Sequence, residues 1–213
     1  MRAPNVTNLV SVIYVLLQMR MREKVAAVNL LFESLDQQIA SFQTTTTIHC
    51  KTGCGKCCFK PDIEATVLEF LPFAYHLYTN KLADEWLDKI SASDSTLCVI
   101  LSPTQSGAGL CSEYPHRGLI CRLFGYSART NKYGKKEFVT CQIIKTEQKE
   151  MHANAVVMIE EETVSVPVMN QYYLQLQSID YELTRVFYPI NGAIRRAIEL
   201  VQQDYYYQDL SSL

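Results

Sequence analysis

The stretch HCKTGCGKCCFK, His49 to Lys60, sets four cysteines into nine positions, two of them adjacent. Cys54-Gly-Lys-Cys57 has the Cys-x2-Cys spacing with which one tight turn aims two sulfurs at a single tetrahedral ion, leaving turn N–H groups to donate to the thiolates. Gly53 and Gly55 supply the backbone freedom that such a turn needs, and Cys50 adds a third sulfur one turn earlier. Cys57 and Cys58, being neighbours, send their side chains in different directions, about 100° apart on a helix and to opposite faces of a strand. They are expected to serve different metal ions or different atoms of one cluster. The remaining ligands must then come from Cys98, Cys111, Cys121 and Cys141, so more than one metal ion is expected. Two tetrahedral zinc sites and two cubane iron–sulfur clusters would each use eight thiolates, and either site carries a charge of about −2.

All eight cysteines fall in the central part of the chain, outside the long periodic segments. Free cysteine packs well as a small core hydrophobe, so this clustering argues for ligands. The apolar run LVSVIYVLLQM near the N-terminus is about ten residues, against the roughly twenty needed to span a bilayer. Gln18, Met19 and Arg20 follow it where a secretory cleavage site would need small residues. The expected setting is therefore the cytoplasm, with no membrane partner, where reduced thiols favour metal ligation over disulfides. Twenty basic and twenty-two acidic side chains give a formal charge of −2 and no electrostatic footprint for nucleic acid.

Lys51, Lys56, Lys60, Arg117 and Arg122 lie within a few residues of cysteines and could offset thiolate charge, and Tyr114 and Phe124 could shield the centre from water. Tyr114, Arg117 and Arg122 are the candidates for this supporting layer. His49 and His116 flank ligand candidates but, with eight sulfurs to hand, read as supporting or surface residues. His76 and His152 sit in helical contexts and read as packing. No nucleophile elbow, phosphate-cradling glycine loop or His-Glu-x-x-His occurs, so no catalytic residue is assigned and a metal-binding module is the expected role.

Helices must position these groups. From Val10 to Ile39 apolar residues advance by threes and fours, which predicts one long helix over about residues 10–40. The Thr-rich tract Ser41 to Thr47 reads as an exit linker. Thr66 with Glu69 has the form of a capping box, opening a helical insertion over 66–92 in which Pro72 should kink or restart the helix. FGYSARTNKYGKKEFVTC predicts two short strands around an Asn131–Gly134 turn. Helices return over 150–207, one expected from Tyr172 to Tyr188 before Pro189 and a last one carrying Ile194, Ile198, Val201 and Tyr205. The expected fold class is mainly α. Residues 1–213 read as a single helical domain with an irregular cysteine-rich centre over 48–141 and one short β-hairpin.

The cysteine pattern resembles the YkgJ-like cysteine-cluster family, also known as the CxxCxxCC zinc- or iron-chelating domain. Cys50-x3-Cys54-x2-Cys57-Cys58 is similar to its first motif. Cys111-x2-Tyr114-x2-Arg117-Gly118-x2-Cys121-Arg122-x-Phe124 is similar to its second, with Gly118 where the family usually has proline, which implies a less preorganised turn. Cys98 and Cys141 complete the set. The resemblance implies chelation of zinc or iron without a settled reaction. Because the family is also similar to part of flagellin lysine methylases and is often described as iron–sulfur, a redox or group-transfer role is the alternative expectation.

Overall fold

The structure, a computed structural model, describes residues 19–51, 53–103 and 109–211. In chain order its elements are α1 (Met21–Thr46), β1 (Glu64–Ala65), α2 (Leu71–Thr79), α3 (Ala83–Ser91), β2 (Leu101–Pro103), β3 (Gly109–Cys111), α4 (Leu119–Leu123), β4 (Ser127–Thr130), β5 (Lys136–Val139), α5 (Gln142–Glu147), α6 (Lys149–Glu160), α7 (Met169–Ile179), β6 (Tyr188–Pro189) and α8 (Ile190–Ser211). Short 3-10 turns at Lys56–Phe59, Leu68–Phe70 and Tyr114–His116 punctuate them. The protein is mainly α, as its periodicity predicts. No helix among the described residues is long and apolar enough to cross a membrane.

Apolar spacing by threes and fours builds α1, which buries Met21, Val25, Val28, Leu31, Phe32, Leu35, Ile39 and Phe42 along one stripe. The expected earlier start at Val10 falls on residues 10–18, outside the described residues. Its other end differs from expectation: the helix runs through the threonine tract to Thr46 instead of stopping before Ser41. The hydroxyls of Thr44, Thr45 and Thr46 donate to the carbonyls of Ala40, Ser41 and Phe42 at 2.9, 3.0 and 2.8 Å, turning a poor helix former back onto its own helix. Burial of Phe42 and Thr46 holds the last turn down, and Thr47 at φ 57° ends it.

The helical insertion appears where expected, as α2 and α3. Pro72 occupies the first turn of α2, where its missing N–H removes no helical bond, so the helix restarts rather than kinks. The hairpin β4–β5 also forms, in register from Ser127↔Val139 to Thr130↔Lys136. Asn131 Oδ1 accepts from the N–H groups of Tyr133 and Lys135 and shapes its turn. Two further antiparallel pairs, β1–β6 and β2–β3, go beyond the single hairpin expected. Strands of two or three residues are too short to show an alternating pattern.

α7 stops at Ile179, nine residues before the end expected from its pattern. Asp180 takes over the chain there: its carboxylate accepts the N–H of Leu183, and its carbonyl accepts the hydroxyl of Thr184. α8 buries Ile194, Ile198, Val201 and Tyr205 as its spacing predicts. Two apolar clusters result. One joins α1 from Met21 to Ile39 with α2, α3, α4, α7 and α8. The second gathers Phe42, Ile48, Ala128, Ile144, Ala155, Ile159, Val164 and Val166. α1 contributes to both; Cys98 belongs to the first, Cys111 and Cys121 pack against it, and Cys141 packs against the second.

Candidate metal centre

Cys50 and Cys54 lie in the loop after α1, and Cys57 and Cys58 in the 3-10 turn Lys56–Phe59. Gly53 and Gly55 take left-handed φ angles of 71° and 55°, the freedom expected of them. Two ties hold this loop against the downstream cysteine segment. The Cys50 N–H donates to the Tyr126 hydroxyl at 2.5 Å, and His49 exchanges backbone bonds of 3.1 and 2.6 Å with the Gln148 amide. Cys98 is buried beside β2, Cys111 closes β3, Cys121 lies in α4 and Cys141 caps α5 by accepting the Ile144 N–H at 3.5 Å. Cys111 and Cys121 pack on the first apolar cluster, Cys141 on the second.

The sulfurs influence one another across separate segments, and Cys57 acts on both Cys50 and Cys111. Partial burial raises the Cys50 pKa, and the charges of Cys54, Cys141 and Cys57 raise it further. Burial likewise raises Cys121 strongly, with Cys98, Glu69 and Cys111 adding to it. Cys98 is pushed up to about 11, by burial first and then by Cys111, although N–H groups of Ile100 and Leu101 and the charge of Lys89 oppose this. Cys58 is raised by its hydrogen bond with Cys57, then by burial and by the charges of Cys57, Cys121 and Cys98, and so links the segments.

The adjacent pair differs from a simple helix-or-strand expectation. In the tight 3-10 turn the Cys57 and Cys58 sulfurs approach to 3.9 Å. Cys57 is lowered to about 6, chiefly because the Cys58 thiol donates to it, with help from two backbone N–H groups and Arg117. Bonds of about 2.3 Å to one tetrahedral ion would place two sulfurs about 3.8 Å apart. Adjacency therefore does not by itself send these two sulfurs to different ions. Among the described residues, no three cysteine sulfurs lie within 4.8 Å of one another, so a full four-sulfur shell would have to draw the segments inward.

The two arginines proposed as support sit differently. Arg117 is the cation that helps lower Cys57 and opposes the rise of Cys50, Cys111 and Cys121. It stacks 3.5 Å from the Tyr114 ring and donates to the Tyr114 carbonyl. Tyr114 is 58% exposed and holds that guanidinium rather than walling off the sulfurs. Arg122 is only 7% exposed and clamps the loop: it pairs with Asp36 on α1 and donates to the carbonyls of Pro115 and Arg117, its face over Phe32. Lys51, Lys56 and Lys60 are exposed, and Lys60 faces Asp62 at 4.0 Å. The exposed His49 is placed by its backbone, while His116 stacks on His76 and Phe73.

Glu69 had only its local capping signature in the sequence, and the structure gives it more to do. Fully buried, it accepts the Thr66 N–H and hydroxyl on one oxygen, at 2.7 and 3.0 Å, and the Ile120 N–H on the other at 2.9 Å. It thus anchors the first turn of α4 and the Cys121 that follows. Gly118 lies against it. A Cβ there would fall 2.8 Å from Phe70 Cζ and 2.9 Å from Glu69 Oε2.

The donor set suits a thiophilic metal. Soft sulfurs gather beside Arg117, and backbone N–H groups point at Cys57, Cys98, Cys111 and Cys141, the usual outer hydrogen bonds of thiolate sites. Neither a search of curated proteins nor one of solved structures found a match. A family model does match residues 49–160, more than half of the chain and a span that includes every cysteine; its description is CxxCxxCC, "Putative zinc- or iron-chelating domain". The chain belongs to the CxxCxxCC family of zinc- or iron-chelating domains.

Proposed function

We propose that the protein chelates two zinc or iron ions in a paired thiolate centre, with Cys50, Cys54, Cys57 and Cys141 forming one set and Cys58, Cys98, Cys111 and Cys121 the other. The observation carrying this reading is that cysteines from separate segments influence one another and that the two sets meet at the Cys57–Cys58 contact, with Cys57 also acting on Cys111. Arg117, held by Tyr114, offsets thiolate charge for both. Arg122 and Glu69 hold the loop and helix that present Cys111 and Cys121. With all eight thiolates engaged, no coordination position is left for a substrate, which is the pattern of a closed, structural site. Residues 1–213 would act as one folding unit in a reducing, cytoplasmic setting.

A second reading, an iron–sulfur redox or group-transfer protein, is favoured by one feature. The sulfurs do not close to tetrahedral edges in threes, and in a cubane each thiolate binds a different iron and stands farther from the next. Elemental analysis with a visible spectrum of anaerobically purified protein separates the readings. Two zinc or iron ions without acid-labile sulfide support the paired centre; a brown protein with labile sulfide overturns it in favour of the cluster. Chelation tests the structural role. Amide protection should fall over residues 50–60 and 98–118 while α1, α2 and α8 keep theirs, because burial already holds the helices together. Unchanged protection in both loops refutes it.

A further inference from the structure

Outside the sulfurs, one group of side chains converges as ligands would. A ligand atom from each of His76, Glu113 and His116 lies within 4.8 Å of the other two, and all three residues are half-buried. Their placement has clear causes. The Tyr114–His116 3-10 turn, closed by the His116 N–H on the Glu113 carbonyl at 2.9 Å, brings Glu113 and His116 to one side. His76 comes from α2, thirty-seven residues away in sequence from Glu113. The two imidazoles stack with centroids 4.0 Å apart, and the Phe73 ring backs His116 at 6.1 Å. Phe73 itself meets Trp86 edge-on, and a shared ion would require the two stacked imidazoles to tilt until both ring lone pairs meet it.

We infer that His76, Glu113 and His116 form a separate mononuclear site for a borderline divalent cation of the zinc or ferrous class. Two imidazoles and one carboxylate are the donor set for such ions, whereas magnesium and calcium take oxygen ligands. Asn80 lies 3.3 Å from His76 Nδ1. The same Asn80 amide nitrogen donates to the His76 carbonyl at 2.8 Å, which ties His76 to the C-terminal end of α2. Three protein ligands leave at least one position for water, unlike the closed thiolate sets. The site depends on no cysteine, so it stands or falls apart from the paired centre.

The test uses the full chain titrated anaerobically with Co2+ and, separately, with Zn2+. Sulfur-to-cobalt charge-transfer absorption follows the cysteines, and ring 15N resonances follow the histidines. The expected result is that Zn2+ shifts the ring nitrogens of His76 and His116, and that wild type binds one Co2+ more per chain than His76→Ala. Glu113→Gln, a conservative change with little risk to folding, should weaken that extra ion at least about tenfold without lowering the sulfur charge-transfer band. Unshifted ring nitrogens, equal Co2+ stoichiometry in wild type and both variants, or a sulfur band that falls in step with the lost ion would each overturn the proposal.

Discussion

Adding one methyl group at Gly118 should destabilise the protein by about 1–2 kcal/mol, while the same change at Gly192 should stabilise it. Gly118 has φ −65° and ψ 171°, angles any residue adopts, so alanine would bring no backbone strain and would gain about 0.4–1 kcal/mol by restricting the unfolded chain. Space decides the sign. The new Cβ would stand 2.8 Å from Phe70 Cζ, 3.1 Å from Phe70 Cε2 and 2.9 Å from Glu69 Oε2. Both neighbours are fully buried, and that Glu69 oxygen is bonded to the Ile120 N–H, so neither can yield freely. Overpacking of this kind costs about 1–3 kcal/mol, which exceeds the entropic gain. At Gly192 the nearest atom is 3.8 Å away and the residue lies in α8, where Gly→Ala gains about 0.5–1 kcal/mol. Denaturant midpoints of Gly118→Ala, Gly192→Ala and wild type at equal metal loading measure the pair. A Gly118→Ala variant as stable as wild type would refute the packing argument. The family's usual proline fits these angles, but a ring at this position would meet the same two side chains.

Burial outweighs the N–H donors around Glu69 and pushes its carboxyl from an ordinary 4.5 up to about 7. The folded state therefore keeps a proton that the unfolded chain releases. Its contribution is fully present below 4.5 and is lost as pH rises through about 7, up to about 3 kcal/mol at 1.36 kcal/mol per pH unit. Glu69→Gln should remove this fall, so the stability difference between wild type and variant should change with pH across that window; a constant difference between pH 5 and 8 would count against it. Arg122→Ala should cost about 2–3 kcal/mol, because the part-buried carbonyls of Pro115 and Arg117 lose their charged donor. Arg122→Lys should recover only part of this, since an ammonium cannot copy the planar fork. Thermal melts of both variants, with metal affinity measured alongside, check the ordering.

Membership of the family was legible because it lies in residue type and spacing. Cys54-x2-Cys57 with its glycines, and the four cysteines downstream, could be read directly, as could helices whose apolar residues recur by threes and fours, such as α1 and α8. Features decided by tertiary contact could not. The threonines at the end of α1 score as poor helix formers, yet Phe42 finds a second apolar cluster and their hydroxyls bond backward. Glu69 shows its local bond to Thr66 in a capping pattern, but its bond to Ile120 crosses fifty-one residues. His76 and Glu113 likewise meet only through folding. Helix and strand geometry predict diverging Cys57 and Cys58 side chains, and the chain uses a 3-10 turn instead.

The contact between Cys57 and Cys58 also has a kinetic meaning. Cys50 and Cys57 are exposed, whereas Cys98 is buried and Cys121 lies deep enough for its thiol to be strongly disfavoured as an anion. In a paired centre, an ion arriving from solvent meets the outer thiolates first and can move inward by exchanging one sulfur for its neighbour across 3.9 Å, without being released to water. Loading of the proposed centre would then have a direction: the inner set would fill through the outer one and empty last, and the two ions would leave at separate rates, the outer one serving as gate to the inner.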